Sequence, residues 1–316
     1  MPLNPDIEDF LALVNGQKAG RTRLHQMPPA EARAAYDRTT GILDLPGVDV
    51  LTRDVRIPTR DGINIRGRLY DGVGDGQVLA PVLLFFHGGG YVLGGLESHD
   101  GLCRALSSGA RCRVLSVDYR LAPEYRFPTA FHDAEDALKW LYEQGEAHGL
   151  DANRLVIGGD SVGGSLAAAL CLAQKARKAT QPSLQLLIYP CTAAWQDTES
   201  HRRLAEGYLL EGDDLQWMFA QYLNHEAERH DWRFAPAEAP DFQGLAPAHI
   251  VLAEYDPLSD EGRAYGKKLE QADVRVSLRE YAGMVHDFAR MTTITEEALK
   301  LRGDLAVLLN HAFYVE

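Results

Sequence analysis

The chain holds little cysteine: Cys103, Cys112, Cys171 and Cys191 are the four in 316 residues. None falls in a C-x-x-C pair or at a paired metal-ligand spacing, so neither a disulfide framework nor a zinc site is expected. Cys171 and Cys191 lie in apolar stretches and read as buried thiols. Positive charge is also in deficit. Lys and Arg number 32 against 45 Asp and Glu, a net charge of -13, and such a surface would release few counterions from a nucleic-acid backbone. No segment approaches the length needed to cross a bilayer. Met1 to Phe10 carries Asp6, Glu8 and Asp9 without a basic start, and the apolar run Phe10 to Val14 is too short for a signal-peptide core. These absences set three expectations: no nucleic-acid partner, no stable membrane anchoring, and a reduced, cytoplasmic setting. There is no internal repeat and no low-complexity segment. Gly158-Gly159-Asp160-Ser161 does not match G-x-G-x-x-G, which argues against a nucleotide-dependent oxidoreductase.

What is present suits a globular α/β chain. Hydrophobic residues make up 46% and charged residues 24%, ordinary for a soluble protein with a sizeable core. Residues 1 to about 45 look helical, broken by Pro28-Pro29 and ended near Gly41. Val50-Ile57 and Ile63-Tyr70 alternate and flank Asp61-Gly62, which signals an antiparallel hairpin. From Pro81 onward, short apolar runs (Val82-Phe86, Val114-Val117, Leu155-Ile157, Leu184-Ile188, Ile250-Ala253, Val274-Leu278) alternate with helical patterns. That grammar predicts a largely parallel sheet covered on both faces, with any site at the carboxyl ends of its strands. One interval breaks it. Between Pro190 and His249 lies an insertion holding Trp195, Tyr208, Trp217, Met218, Phe219, Tyr222, Trp232 and Phe234. A lid or binding element is expected there, with most of its rings packing the insertion onto the body and some roofing a site together with the N-terminal helices.

The chemistry centres on Gly159-Asp160-Ser161-Val162-Gly163. An apolar strand precedes this G-x-S-x-G and a helical run from Ser165 follows, the strand–turn–helix context of a nucleophile elbow. The central residue must be strained, and strand and helix must approach closely enough that side chains at the flanking glycines would clash. A serine hydroxyl needs a base, itself oriented by an acid, and behind an elbow these follow in the order acid, then His. Beyond Ser161, His201, His225 and His230 belong to the insertion and His249 opens a strand. His286 follows the last strand, where the base is expected. The acid should end the strand before, which favours Asp256. Asp260 and Glu261 are rivals better suited to a first helical turn, and Glu254 should still lie within the sheet. His87-Gly88-Gly89-Gly90 follows a strand and can bring backbone N–H groups to a reacting carbonyl, with the Val162 N–H as a further donor.

Four blocks carry a family likeness: His87-Gly88-Gly89-Gly90-Tyr91-Val92, Asp118 to Glu124, Gly159 to Gly164, and Asp256 to Gly262. With His286 they run in family order over residues 50 to 300, and the chain resembles the bacterial hormone-sensitive-lipase-like carboxylesterases. The resemblance implies an α/β-hydrolase: a mostly parallel eight-stranded sheet flanked by helices, with a helical cap. It implies a catalytic domain of residues 46–190 and 236–316, capped by residues 1–45 and 191–235. It further implies a triad of Ser161, Asp256 and His286, oxyanion donors at Gly89, Gly90 and Val162, no cofactor or metal, and a homodimer formed along the last strand. The expected activity is hydrolysis of short- to medium-chain acyl esters through an acyl-enzyme. An amidase or deacetylase using the same triad is the alternative, and a non-catalytic receptor on this fold is a third reading. Two residues depart from the family pattern. Val162 stands where Ala is usual, crowding the acyl site or the neighbouring helix, and Asp287 stands where Gly usually follows the base. Asp118-Tyr119-Arg120 reads as a structural turn.

Overall fold

The computed structural model describes residues 2–17, 22–74 and 78–314. Strands β1 (Leu51–Pro58) and β2 (Asn64–Asp71) form the expected antiparallel hairpin, Leu51 opposite Asp71. Its turn is closed by the Thr59 N–H donating to the Ile63 carbonyl at 2.8 Å. The remaining strands are β3 (Ala80–Phe86), β4 (Arg113–Asp118), β5 (Leu150–Asp160), β6 (Leu184–Ile188), β7 (Ala248–Tyr255) and β8 (Val276–Val285). They make one eight-stranded sheet in the order β1-β2-β4-β3-β5-β6-β7-β8. From β4 to β8 every pairing is parallel, and β2 joins β4 antiparallel.

The unbroken apolar runs follow from burial on both faces. Along β3, Val82, Leu84 and Phe86 enter one core with Leu138, Leu166 and Leu269, which belong to α4 (Thr129–Gln144), α5 (Val162–Ala176) and α8 (Ser259–Gln271). Leu83 and Phe85 enter the other core with Leu106 and Leu305, from α3 (Asp100–Ala110) and α9 (Glu296–Tyr314). All four thiols are free and buried.

Three boundaries differ from the sequence reading. Pro29 starts a helix, since its missing N–H costs nothing in a first turn. The N-terminal segment therefore reads α1 (Pro5–Gly16) and α2 (Pro29–Leu43), with Gly41 inside α2. The last strand is longer than Val274-Leu278 and shifts register so that Tyr255 opposes Val285. Ser277 to Glu280 are exposed there, so this edge strand shows little apolar signal while its backbone keeps pairing. Third, the insertion after β6 is mostly irregular, with α6 (Glu199–Arg203) and α7 (Gly212–Tyr222) as its α-helices.

Candidate active site

β5 ends at Asp160 and α5 begins at Val162, leaving Ser161 alone at the turn with φ 54° and ψ -124°. A non-glycine residue held there costs of order 1–3 kcal/mol, so the surroundings must fix it. They do so through the Ser161 N–H, which donates to the Ile188 carbonyl at 2.8 Å. The flanking glycines are sterically required. A Cβ on Gly159 would lie 2.4 Å from the Phe86 carbonyl oxygen, and one on Gly163 would lie 2.0 Å from it.

The end of β8 delivers the next group. His286 follows Val285 directly, and its ring lies 4.7 Å from that of Tyr189. His286 Nε2 is 3.1 Å from Ser161 Oγ, and Nδ1 is 2.7 Å from Asp256 Oδ2. Asp256, just past β7, is fully buried, and its Oδ1 accepts the Leu258 N–H at 2.8 Å. Because a carboxylate only accepts, Nδ1 carries the proton and Nε2 is free to accept from the Ser161 hydroxyl. Burial disfavours the charged imidazole, but Asp256, and behind it Asp287 and Asp160, outweigh that effect and raise the pKa of His286 above its ordinary 6.5.

The rival residues are engaged elsewhere. Asp260 accepts from the Ser200 N–H and from Arg263, each at 2.8 Å. Glu261 accepts the Thr192 N–H at 2.6 Å, and Glu254 the Gly283 N–H at 2.8 Å. His201 lies 3.3 Å from Glu261, His225 3.6 Å from Glu228, His230 2.9 Å from Glu238, and His249 3.2 Å from Ser277.

The glycine loop runs off β3 into the same space. Gly89 and Gly90 have φ of 115° and 62°, and among the described residues their N–H groups meet no backbone or side-chain acceptor. Both border a cavity of about 500 Å³ together with Ser161 and His286. The loop is held by a residue that the sequence reading left without a role. Asp160 Oδ1 accepts the Gly88 N–H at 2.9 Å, while Asp160 Oδ2 lies 3.1 Å from His99 Nε2. Burial would raise the pKa of Asp160, yet His99, Arg290 and His87 hold it below the usual carboxylate value. The position of Asp160 next to Ser161 was the available signal; His99 offered none. Tyr119 donates its hydroxyl to the His87 carbonyl at 2.7 Å, and Arg120 pairs with Asp133 at 2.6 Å. The Asp118-Tyr119-Arg120 block thus makes structural contacts, with Asp118 ending β4 and the turn itself falling at Ala122 to Glu124.

The cavity wall corrects one expectation. Leu13, Val14 and Tyr36 come from the N-terminal helices, and Leu209, Leu215 and Met218 from the insertion, but none of the insertion's rings lines it. Those rings pack the insertion down: Tyr222 stacks on Tyr91 at 4.0 Å, Phe219 meets Phe234 edge-on at 5.0 Å, and Trp232 meets Phe131 edge-on at 5.6 Å. From the insertion, aliphatic side chains, the Met218 thioether and Asp214 are left to face the cavity. The Val162 side chain joins the main core and stays out of the lining. Among the described residues, one group of metal-ligand type exists: His99, Asp160 and Asp287, with ligand atoms within 4.8 Å of one another. Its Asp287 is bound by Arg290 at 2.6 Å, so the protein already supplies a cation there.

Comparison with known proteins agrees with this arrangement. The family described as alpha/beta hydrolase fold matches residues 83–290. The chain is 45% identical over 306 residues to an ethyl acetate hydrolase of Pseudomonas putida, covering 94% of this chain and 95% of that protein. An ester hydrolase from the Lake Arreo metagenome, solved in complex with a bipyridine phosphonate derivative, superposes with a TM-score of 0.94 at 36% identity, over 98% of this chain and 99% of that one. A hyperthermophilic esterase of the archaeon Pyrobaculum calidifontis superposes with a TM-score of 0.91 at 34% identity, over 98% of each chain.

Proposed function

Because the chain belongs to the alpha/beta hydrolase fold family and is a carboxylic ester hydrolase, we propose that it cleaves short- to medium-chain acyl esters through an acyl-enzyme on Ser161. The observation that carries this reading is the buried relay from Ser161 Oγ through His286 to Asp256, at 3.1 and 2.7 Å. Ser161 Oγ attacks the acyl carbon as His286 Nε2 takes its proton. The carbonyl oxygen becomes an oxyanion and accepts from the N–H groups of Gly89, Gly90 and Val162. The intermediate collapses, the C–O bond to the alcohol breaks, and His286 returns the proton to the leaving oxygen. Water then attacks the acyl-enzyme by the same steps, releasing the acid and restoring Ser161. Asp256 holds the imidazole in the working tautomer and stabilises its charged form.

Residues 1–45 and 191–235 act in this reading as a cap over the catalytic domain, supported by their shared contribution to the cavity wall. The apolar lining and limited volume favour modest acyl groups, since each buried methylene gains roughly 0.8 kcal/mol until the space is full. The four sequence blocks place the chain among the hormone-sensitive-lipase-like carboxylesterases. The free buried thiols suit a reduced, cytoplasmic setting, and the edge position of β8 suits pairing with a second copy.

A panel of p-nitrophenyl esters of increasing acyl length, run beside an anilide and an emulsified triglyceride, tests the reading. The expected optimum is at short to medium chains, with little action on the emulsion. An optimum at long chains with activation at the lipid interface would make it a lipase, and faster anilide turnover would make it an amidase.

A further inference from the structure

We propose that Asp287 and Arg290 are positioning residues for His286: an ion pair of a buried arginine and a partly buried aspartate that clamps the segment after β8 between the nucleophile strand β5 and helix α2. The proposal rests on the reading of His286 as the base.

Asp287 adopts φ 68°, in the left-handed region where Asp, Asn and Gly are the residues tolerated. Its carboxylate accepts two bonds from Arg290, Nε to Oδ1 at 2.9 Å and Nη2 to Oδ2 at 2.6 Å. Arg290 Nη1 donates to the Ser98 carbonyl at 2.8 Å. The guanidinium is 1% exposed and lies 4.7 Å from the centre of the Tyr36 ring on α2. On its other side, Asp287 comes within 4.8 Å of the ligand atoms of Asp160 and His99. The residue after the base thus comes within 4.8 Å of the residue before the nucleophile, and Arg290, bonded to Asp287, packs against Tyr36 in the wall of the cavity.

Taking the Arg290 guanidinium out of water carries a large desolvation cost before its attraction to the partly exposed Asp287 is counted. A loop that needed only packing would be served by apolar side chains. The charge pattern gives this pair a consequence that packing lacks. The titratable and charged groups around His286 are Asp256 after β7, Asp160 ending β5, Tyr189 after β6, and Asp287 with Arg290 on its own segment. Behind them stand His99, His87 and Tyr36. Within that set, Asp287 favours the charged imidazole, and a cation placed beside it, as Arg290 is, works the other way. Removing either partner must move the titration of His286, and in opposite directions.

The test is kcat/KM against pH for a short p-nitrophenyl ester, with the wild type, Asp287→Asn, Asp287→Gly, Arg290→Met and the double variant Asp287→Asn/Arg290→Met. Both Asp287 replacements tolerate a positive φ. The acid limb should fall by roughly half a pH unit or more in each of them, the size expected of one nearby charge at an effective dielectric of about 20. It should rise in Arg290→Met and return towards the wild type in the double variant. A limb unmoved in both Asp287 variants of an active enzyme would overturn the proposal and leave the triad standing. Should Arg290→Met fail to fold, the two Asp287 variants still decide. A phosphonate adduct of the wild type on a serine other than Ser161 would overturn the triad reading and this proposal with it.

Discussion

At the residue scale, the candidate site brings together three side chains, Ser161, His286 and Asp256, in one buried hydrogen-bonded chain. Ser161→Ala and His286→Ala should each abolish nearly all ester turnover, and Asp256→Asn should reduce kcat by about 10⁴, as a wrong imidazole tautomer does in a comparable triad. Asp260→Asn should change little, because Asp260 is spent on Ser200 and Arg263; steady-state kinetics on one short ester ranks the four. The neutral imidazole is the reactive form, so a raised pKa moves the acid limb of kcat/KM up, and activity should fall with decreasing pH through a value above 6.5. The same shift adds stability below the unfolded-state pKa that is lost as pH rises through the folded-state value. The places of Ser161 and His286, brought to 3.1 Å of each other, were legible because each sits at a fixed point in the chain's strand–turn grammar. Beyond the adjacency of Asp160 to Ser161, the contacts of Asp160 with Gly88, of His99 with Asp160 and of Arg290 with Ser98 were not, since they span 72, 61 and 192 residues. No local pattern records such contacts.

At the element scale, the parallel strands were legible because burial on both faces writes continuous apolar runs. β8 was under-read because one exposed edge erases that signal. The cavity wall was misread for another reason: composition reveals that an insertion is aromatic but not which way its rings turn. The contact that matters there is Met218 of α7 against the glycine loop, where a Cβ on Gly90 would lie 2.1 Å from the Met218 sulfur. Met218→Ala should open space beside the candidate oxyanion donor and move the acyl optimum to longer chains. Because Met218 is buried, the substitution should also cost about 2 kcal/mol or more in urea unfolding. Gly90→Ala would drive a methyl into that thioether at φ 62°, so it should lower kcat, with Gly90→Ala/Met218→Ala recovering part of the loss.

At the scale of the whole molecule, one side of the cavity is built from the start of the chain and must be held onto the sheet domain. Arg33 of α2 does much of this, with Nε donating to the Val92 carbonyl at 2.8 Å and Nη2 to the Ala122 carbonyl at 2.6 Å. Arg302 of α9 holds the helix's end through Asp44 at 2.7 Å. Arg33→Ala should lower the thermal midpoint and raise KM for short esters more than it changes kcat, since the reacting groups stay in place while the wall loosens. The central claim, a single activated serine served by His286, is tested most directly by a phosphonate ester with peptide mass mapping. One adduct per chain on Ser161, absent in Ser161→Ala and greatly slowed in His286→Ala, is the predicted result. An adduct on any other residue, or labelling of Ser161 as fast in His286→Ala as in the wild type, would contradict it.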